Sequence, residues 1–186
     1  MRKSAIVLGW IALIAVASAV SFAQAKDKTK RPSPPATAQC KFSDGKGVTV
    51  DYSSPRMKGR KIYGTEQEGA LVPYGKVDRT GANEATTFVT TADVSIGGKD
   101  VAAGDYTIFT VPNPDKWTLI VNKKTGEWGI PYKWEGDELL RTDMTVSKES
   151  SPVENFAISL PSTGDTCTLH ITWDSNDASV DIAEKK

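Results

Sequence analysis

The chain has 186 residues, 23 basic and 23 acidic side chains, and 39% hydrophobic residues. This length and balance suit one domain, with or without a tail. They exclude a disordered polymer, a coiled coil, a polytopic membrane protein and a strongly basic nucleic-acid binder. Because the chain has only two cysteines and one histidine, most zinc and copper sites are excluded too, and we predict no metal and no cofactor.

The first 25 residues have the pattern of a secretory signal peptide. Two basic residues precede an uncharged apolar run over 5–20, and Ala23 and Ala25 offer alternative cleavage sites. The apolar run is short for a membrane-spanning helix of about 20 residues. We therefore expect an extracytoplasmic protein, periplasmic or secreted, with no membrane span after cleavage.

Residues 26–39 combine lysines and prolines with almost nothing to bury, which predicts a flexible spacer. The folded domain is then predicted over 40–183. Cys40 opens this domain and Cys167 lies near its end. In an oxidising compartment a single pair of cysteines is most simply a disulfide, and two buried free thiols are the alternative.

From residue 40 onward, runs of β-branched and aromatic residues alternate with turn residues about every ten positions. Gly97-Gly98 fits a two-residue type I′ hairpin. No segment has a helical period longer than one turn. We therefore predict a single all-β domain, an antiparallel β-sandwich of about 9–11 short strands, with a closed β-barrel as the alternative. The predicted strands span 48–52, 85–91, 94–96, 99–101, 106–111, 117–122, 141–146, 155–160, 166–173 and 178–182.

Three local patterns resemble functional motifs but have simpler explanations. Gly59–Thr65 has the glycine spacing of a phosphate loop, yet it lacks the lysine before the threonine and a following helix. The oxygen-bearing side chains of Asp174, Asn176 and Asp177 suggest a calcium site, but a polar turn after a strand explains them more simply. His170 alternates with apolar residues along its strand, which places it on the solvent side rather than in a catalytic role.

Aromatic residues concentrate in the loop-like segment 127–136, at Trp128, Tyr132 and Trp134. Exposed aromatic rings stack on sugar rings, whereas buried ones close the open end of a sandwich core. We expect these three to pack against the core.

The stretch 53–84 indicates function most strongly. It is long, irregular and rich in glycine, proline and arginine, and such segments in compact domains are commonly functional or mobile. Residues 55–80 hold six basic and three acidic side chains, whereas 135–186 hold four and eleven. Arginine binds carboxylate, phosphate or sulfate through paired hydrogen bonds. The predicted ligand-binding residues are Arg56, Arg60, Tyr63, Tyr74, Arg79, Asn83 and Glu84.

A structural role for the same arginines is the alternative. They would then pair with Glu84, with Asp51 and with the acidic C-terminal strands, and so tie the loops down.

Two motifs of this stretch carry a family resemblance: S-P-R-x-K-G-R-x-I-Y-G from Ser54, and L-V-P-Y-G-K-V-x-R-T-G-A-N-E-A-T-T-F from Leu71. The chain resembles the bacterial domain-of-unknown-function 2911 family over essentially the whole domain, to near Ile182. The resemblance implies an exported bacterial protein and supplies no activity and no catalytic residue. One departure is Asp78, where the family usually has tryptophan.

Three hypotheses follow. The first is a non-catalytic module that binds a small anionic or polyhydroxylated, carbohydrate-like ligand through 56–84. The second is a hydrolase or lyase with Glu84 as general acid or base, assisted by an arginine, and with Asp51 or Asp78 as a second carboxylate. The third is an envelope scaffold that binds another protein. The sequence does not indicate the oligomeric state.

Overall fold

The computed structural model describes residues 28–186, so the predicted signal peptide lies outside the described residues. Within that range the protein consists of β-strands and two single-turn 3₁₀ helices, Lys28–Lys30 and Glu135–Asp137. The strands are β1 (Pro35–Lys41), β2 (Gly47–Ser53), β3 (Tyr63–Gly64), β4 (Val72–Pro73), β5 (Thr86–Thr90), β6 (Val94–Ile96), β7 (Lys99–Val101), β8 (Gly104–Val111), β9 (Lys116–Asn122), β10 (Glu138–Ser159), β11 (Ser162–Thr163) and β12 (Thr166–Glu184).

One antiparallel sheet holds most of these strands, in the order β1-β2-β5-β8-β9-β10-β12-β6-β7. The long strand β10 pairs with β9 through its first part and with β12 through its second part, and its register shifts between Lys148 and Ala157. The short strands β3 and β4 form a separate parallel pair. The main sheet is open, because its path ends at β1 and β7, and the closed-barrel alternative is therefore wrong.

The sheet folds back on itself. Cys40 of β1 and Cys167 of β12 form a disulfide with their Cα atoms 6.2 Å apart, although β12 lies six positions along the sheet from β1. Both cysteines are buried in a core that joins residues of β2 and β5 to residues of β12. This two-layered, sandwich-like arrangement confirms the predicted fold class and the predicted disulfide.

Strand alternation explains which side chains form the core. Along β12, Cys167, Leu169, Ile171 and Trp173 are buried, whereas the residues between them are half-buried. His170 is among the latter, with its Nδ1 atom 2.8 Å from a carboxylate oxygen of Asp177. The predicted phase of this strand is confirmed.

The aromatic segment divides between the core and the surface. Tyr132 and Trp134 pack on Phe109 with ring centres 4.8 and 6.3 Å away, and so cover a small second core cluster. Trp128 is 55% exposed. Tyr132 and Trp134 therefore pack against the core as predicted, whereas Trp128 does not.

The predicted flexible spacer over 26–39 is too long, because its last five residues lie in a strand. Residues 35–39 belong to β1, which pairs with β2 from Pro35↔Ser53 to Lys41↔Gly47. Small residues such as Ala36 and Ala38 face inward there at an edge of the sheet, so the strand forms without a run of large apolar residues.

Candidate functional site

The long irregular connection between β2 and β5 forms one side of an open cleft of about 590 Å³. The other side comes from the loop after β9, and Trp173 of β12 also contributes to the lining. Three of the predicted ligand-binding residues line this cleft: Arg60, Arg79 and Asn83. Its lining also includes Ser33, Pro55, Glu66, Leu71, Val72, Pro73, Lys76, Val77, Asp78, Gly81, Ala82, Trp128 and Ile130.

Buried threonines fix the motif that carries Arg79 and Asn83. Thr80 is fully buried with a φ of 59°, which is unusual for a β-branched residue. Its hydroxyl lies 3.2 Å from that of Thr110, and its carbonyl accepts a 2.5 Å hydrogen bond from Thr86. Strained backbone held in this way is typical of functional sites.

Asp78 places a carboxylate inside the cleft. It is half-buried, its backbone pairs with Thr110 of β8, and one carboxylate oxygen accepts a 2.8 Å hydrogen bond from the Thr80 backbone N–H. Burial raises the pKa of Asp78 to about 6, because the loss of solvation outweighs the backbone hydrogen bonds and the nearby Arg79. This side chain can therefore gain or lose a proton near neutral pH.

Arg79 and Trp128 contact each other in the lining of the cleft. The guanidinium carbon of Arg79 lies 5.3 Å from the centre of the Trp128 ring, within cation–π range. One Nη of Arg79 also donates to the backbone carbonyl of Asn83. Gly129 makes this close approach feasible: at its φ of 97°, an added Cβ would lie 3.0 Å from the Cβ of Arg79.

The arginines of this region do not form the ion pairs that the structural alternative predicts. Within residues 28–186, Arg56, Arg60 and Arg79 form no ion pair. Glu84 pairs with Arg31 at 2.6 Å, and Asp51 accepts a hydrogen bond from Thr37. The alternative that these arginines pair with Glu84, Asp51 and the C-terminal acids is therefore corrected.

The remaining predicted site residues lie elsewhere. Tyr63 is buried in the core with its ring centre 4.9 Å from that of Trp117, and burial raises its pKa well above the ordinary tyrosine value. Tyr74 is half-buried and packs against the same core. Arg56 lines a smaller neighbouring cavity instead of the cleft.

Glu84 binds the segment that precedes β1. Besides the contact with Arg31, it lies 3.6 Å from the ammonium of Lys28. The hydrogen bond from Arg31 lowers the pKa of Glu84 to about 2. A carboxylate that stays ionised in this way is a poor general acid near neutral pH, so the structure does not support the catalytic role predicted for Glu84.

The same N-terminal segment completes the rim of the cleft. Asn83 donates a 3.0 Å hydrogen bond to the carbonyl of Ser33, and Ser54 donates one of 2.9 Å to the carbonyl of Pro34. Sequence reasoning missed Ser33 and Lys76 as lining residues. Ser33 lies outside both family motifs, and Lys76 lies within the second motif but is not an arginine, the residue type on which the site prediction rested.

Over 28–186, no group of three or more His, Cys, Asp or Glu side chains is arranged to hold a metal ion. No helix in that range is long and apolar enough to span a bilayer.

Comparison with protein families gives one match. The family model described as a protein of unknown function, DUF2911, matches residues 33–182. The match includes all of β1 and every segment that lines the cleft, and it confirms the resemblance drawn from the arginine motifs. Neither the curated proteins nor the solved structures include a match to the chain.

Proposed function

Since the chain belongs to the DUF2911 family, which is described as of unknown function, we propose a function from the cleft itself. The protein binds a small anionic or polyhydroxylated ligand there and does not transform it. The observation that carries this proposal is that Arg60 and Arg79, from two separate segments, line one open cleft without an ion-pair partner among the described residues.

The cleft combines the groups that such a ligand requires. Arg79 and Asn83 offer hydrogen-bond donors, and Asp78 offers an acceptor for hydroxyl groups. The exposed ring of Trp128 offers an apolar face against which a sugar-like ring can pack. A concave surface with mostly apolar walls and a few convergent polar groups is typical of a small-molecule site.

The proposed location is outside the cytoplasm. The disulfide between Cys40 and Cys167 is of the kind that persists in oxidising compartments. The signal-peptide pattern of residues 1–25 supports the same location.

A panel of small ligands tests the proposal. The panel contains neutral hexoses, uronic acids, hexose phosphates and dicarboxylates, and binding is measured by thermal shift and by calorimetry on protein purified from expression of the full chain. We expect at least one class to raise the melting temperature. Arg79→Ala and Trp128→Ala should each weaken its binding by about tenfold or more, which corresponds to about 1.4 kcal/mol.

Two control variants match these substitutions. Leu139 is exposed and lies outside the cleft, so Leu139→Ala removes an apolar surface side chain without touching the site. Lys123→Ala removes a surface charge that likewise does not line the cleft. Binding that survives both cleft variants, or a panel without any binder, would overturn the proposal.

A second candidate function is a hydrolase or lyase, and one observation favours it. Asp78 lines the cleft with a pKa of about 6, which suits a general acid or base. Glu66 is a second carboxylate in the lining, although Lys76 pairs with it at 3.4 Å. Turnover of a panel compound that is lost in Asp78→Asn while binding persists would establish catalysis.

A further inference from the structure

A second cavity of about 290 Å³ adjoins the cleft. Pro32, Ser33, Arg56, Lys58 and Arg60 line it, so every charged side chain in its lining is basic. Ser33 and Arg60 also line the cleft. The two cavities therefore adjoin at these two residues.

A tight turn holds the three basic side chains together. Lys58 and Gly59 have φ values of 50° and 71°, and the backbone N–H of Arg60 donates a 3.0 Å hydrogen bond to the carbonyl of Met57. Two positive φ values with this hydrogen bond define a type I′ turn. Such a turn places Arg56 just before and Arg60 at the end of one reversal of the chain.

Contacts with β10 anchor this turn. The backbone N–H of Met57 donates to the carbonyl of Glu154 at 2.8 Å, and that of Lys58 donates to a carboxylate oxygen of Glu154 at 3.0 Å. Glu154 is thus the carboxylate in contact with the turn, and it accepts from backbone rather than from the three basic side chains. The backbone that carries the three basic side chains is therefore fixed before a ligand arrives, which lowers the entropy cost of binding.

The basic side chains keep most of their hydrogen-bonding capacity. Arg60 donates from Nε to the Met57 carbonyl at 2.9 Å and from one Nη to the Arg56 carbonyl at 2.5 Å. A guanidinium has five N–H donors, so three remain. The side chains of Arg56 and Lys58 make no hydrogen bond and no ion pair to any residue between 28 and 186.

The charge of this cavity selects among anions. Three cations without paired carboxylates match a group of about two negative charges better than a single charge. A phosphate monoester carries about −1.5 to −2 near neutral pH and presents three acceptor oxygens, whereas a carboxylate or a sulfate ester carries one charge. The larger cleft differs, because Glu66 offsets Lys76 and Asp78 lies beside Arg79.

The geometry points to a phosphorylated cyclic polyol as the ligand. Its phosphate monoester lies in the basic cavity between Arg56, Lys58 and Arg60, and its hydroxylated ring lies in the cleft against Trp128. This assignment rests on the proposed function, because it names the class of ligand for the same cleft.

Calorimetry at low ionic strength tests the assignment with matched pairs of probes. Glucose, galactose and mannose are each compared with their 6-phosphates, and glucose 6-sulfate, glucuronic acid and inorganic phosphate complete the set. At least one 6-phosphate should bind ten times or more tightly than its parent sugar and than the sulfate and the uronic acid. The advantage should shrink as salt rises, because the contacts are ionic.

Two double variants distinguish the effect of the basic cavity on affinity from the effect of the protein's overall charge. Arg56→Ala with Lys58→Ala should reduce affinity for the phosphate ester to that for the parent sugar and leave the parent sugar unaffected. Lys41→Ala with Lys123→Ala removes the same charge from residues that line neither cavity and should preserve the advantage. An equal loss in both pairs, or equal binding of ester and parent, would overturn the assignment.

The outcomes distinguish the two proposals. Binding of sugars or uronic acids that depends on Trp128 but not on Arg56 and Lys58 would leave the proposed function standing and overturn the phosphate ester. Inorganic phosphate that binds as tightly as the 6-phosphates would also overturn it, since the ring would then contribute nothing. Failure of every carbohydrate probe and of the dicarboxylates would overturn the proposed function itself.

Discussion

The guanidinium carbon of Arg79 lies 5.3 Å from the centre of the Trp128 ring. This contact joins the Arg79–Glu84 motif to the loop after β9. The Trp128 ring lies at the surface beside this contact and is 55% exposed. A cation over an aromatic ring beside an open cleft is a ready surface for a ligand that carries both apolar and polar faces.

The stability cost of removing this ring should be small. Trp128→Ala should change the free energy of unfolding by less than about 1 kcal/mol, because the ring is mostly exposed. Trp117→Ala should cost about 3–5 kcal/mol, because Trp117 is 1% exposed and packs against Tyr63. Guanidinium denaturation of both variants measures the difference, and equal losses would show that Trp128 belongs to the core.

Asp78 should give the protein a specific dependence of stability on pH. Its pKa is about 6 in the folded protein against 3.8 for the ordinary group, so the folded state binds the proton more tightly. The resulting stabilisation is complete below about pH 4 and is lost as pH rises through about 6. Asp78→Asn should remove this loss, which is on the order of 1–3 kcal/mol.

The measurement is the difference in unfolding free energy between wild type and Asp78→Asn from pH 4 to pH 7. Taking the difference removes the contribution of Glu68, Glu84 and Asp165, whose lowered pKa values of about 2 act in the opposite direction. A difference that stays constant over this range would contradict the assigned pKa.

The disulfide should contribute substantially to stability. Cys40 and Cys167 close a loop of 127 residues, and a loop of this length removes about 4–5 kcal/mol of chain entropy from the unfolded state. Replacing both cysteines with serine should lower the unfolding free energy by about 3–5 kcal/mol. Denaturation of the oxidised protein and of the double variant checks this, and an unchanged midpoint would refute it.

The contact between Arg31 and Glu84 should hold the N-terminal segment against the cleft. The pKa of Glu84 is lowered to about 2, so this contact is present above about pH 4.5 and is lost as pH falls towards 2. Because the Glu84 side chain is 40% exposed, solvent screening limits its contribution to about 1 kcal/mol or less.

Limited trypsin digestion at neutral pH measures this contact. Glu84→Gln should speed cleavage after Lys28 and Lys30 by up to about fivefold, the factor that corresponds to about 1 kcal/mol of local opening. Glu149→Gln removes a charge from an exposed part of β10 and serves as the control. Equal cleavage rates in both variants would show that the contact does not hold the segment.

Much of the fold follows from the sequence because burial alternates clearly along the strands. The phase of β12 and the hairpin at Gly97-Gly98 could both be predicted, and the two glycines indeed have φ values of 54° and 82°. The middle of β10 could not, because residues 147–152 are mostly exposed and show no apolar alternation. The separate strands predicted at 141–146 and 155–160 are therefore one long strand.

The candidate site could be predicted in part. Arginine-rich motifs identify the segments that carry Arg60 and Arg79, but they do not show which neighbours turn inward. Tyr63 begins the two-residue strand β3, directly after buried Ile62, and lies in the core. The sequence alone does not distinguish this buried position from an exposed one. Trp128 lies against Arg79, whereas Tyr132 and Trp134 pack on Phe109. Both partners are distant in sequence, so local pattern alone could not separate the three aromatic residues.

The most direct test of the ligand-binding cleft is a nuclear magnetic resonance titration that follows the indole N–H signals. Of the tryptophans in the described residues, Trp128 and Trp173 line the cleft, whereas Trp117 is buried away from it. Titration with the tightest-binding panel compound should shift the Trp128 signal strongly and leave that of Trp117 nearly unchanged. Saturable binding that leaves the Trp128 indole signal in place would contradict a ligand site in this cleft.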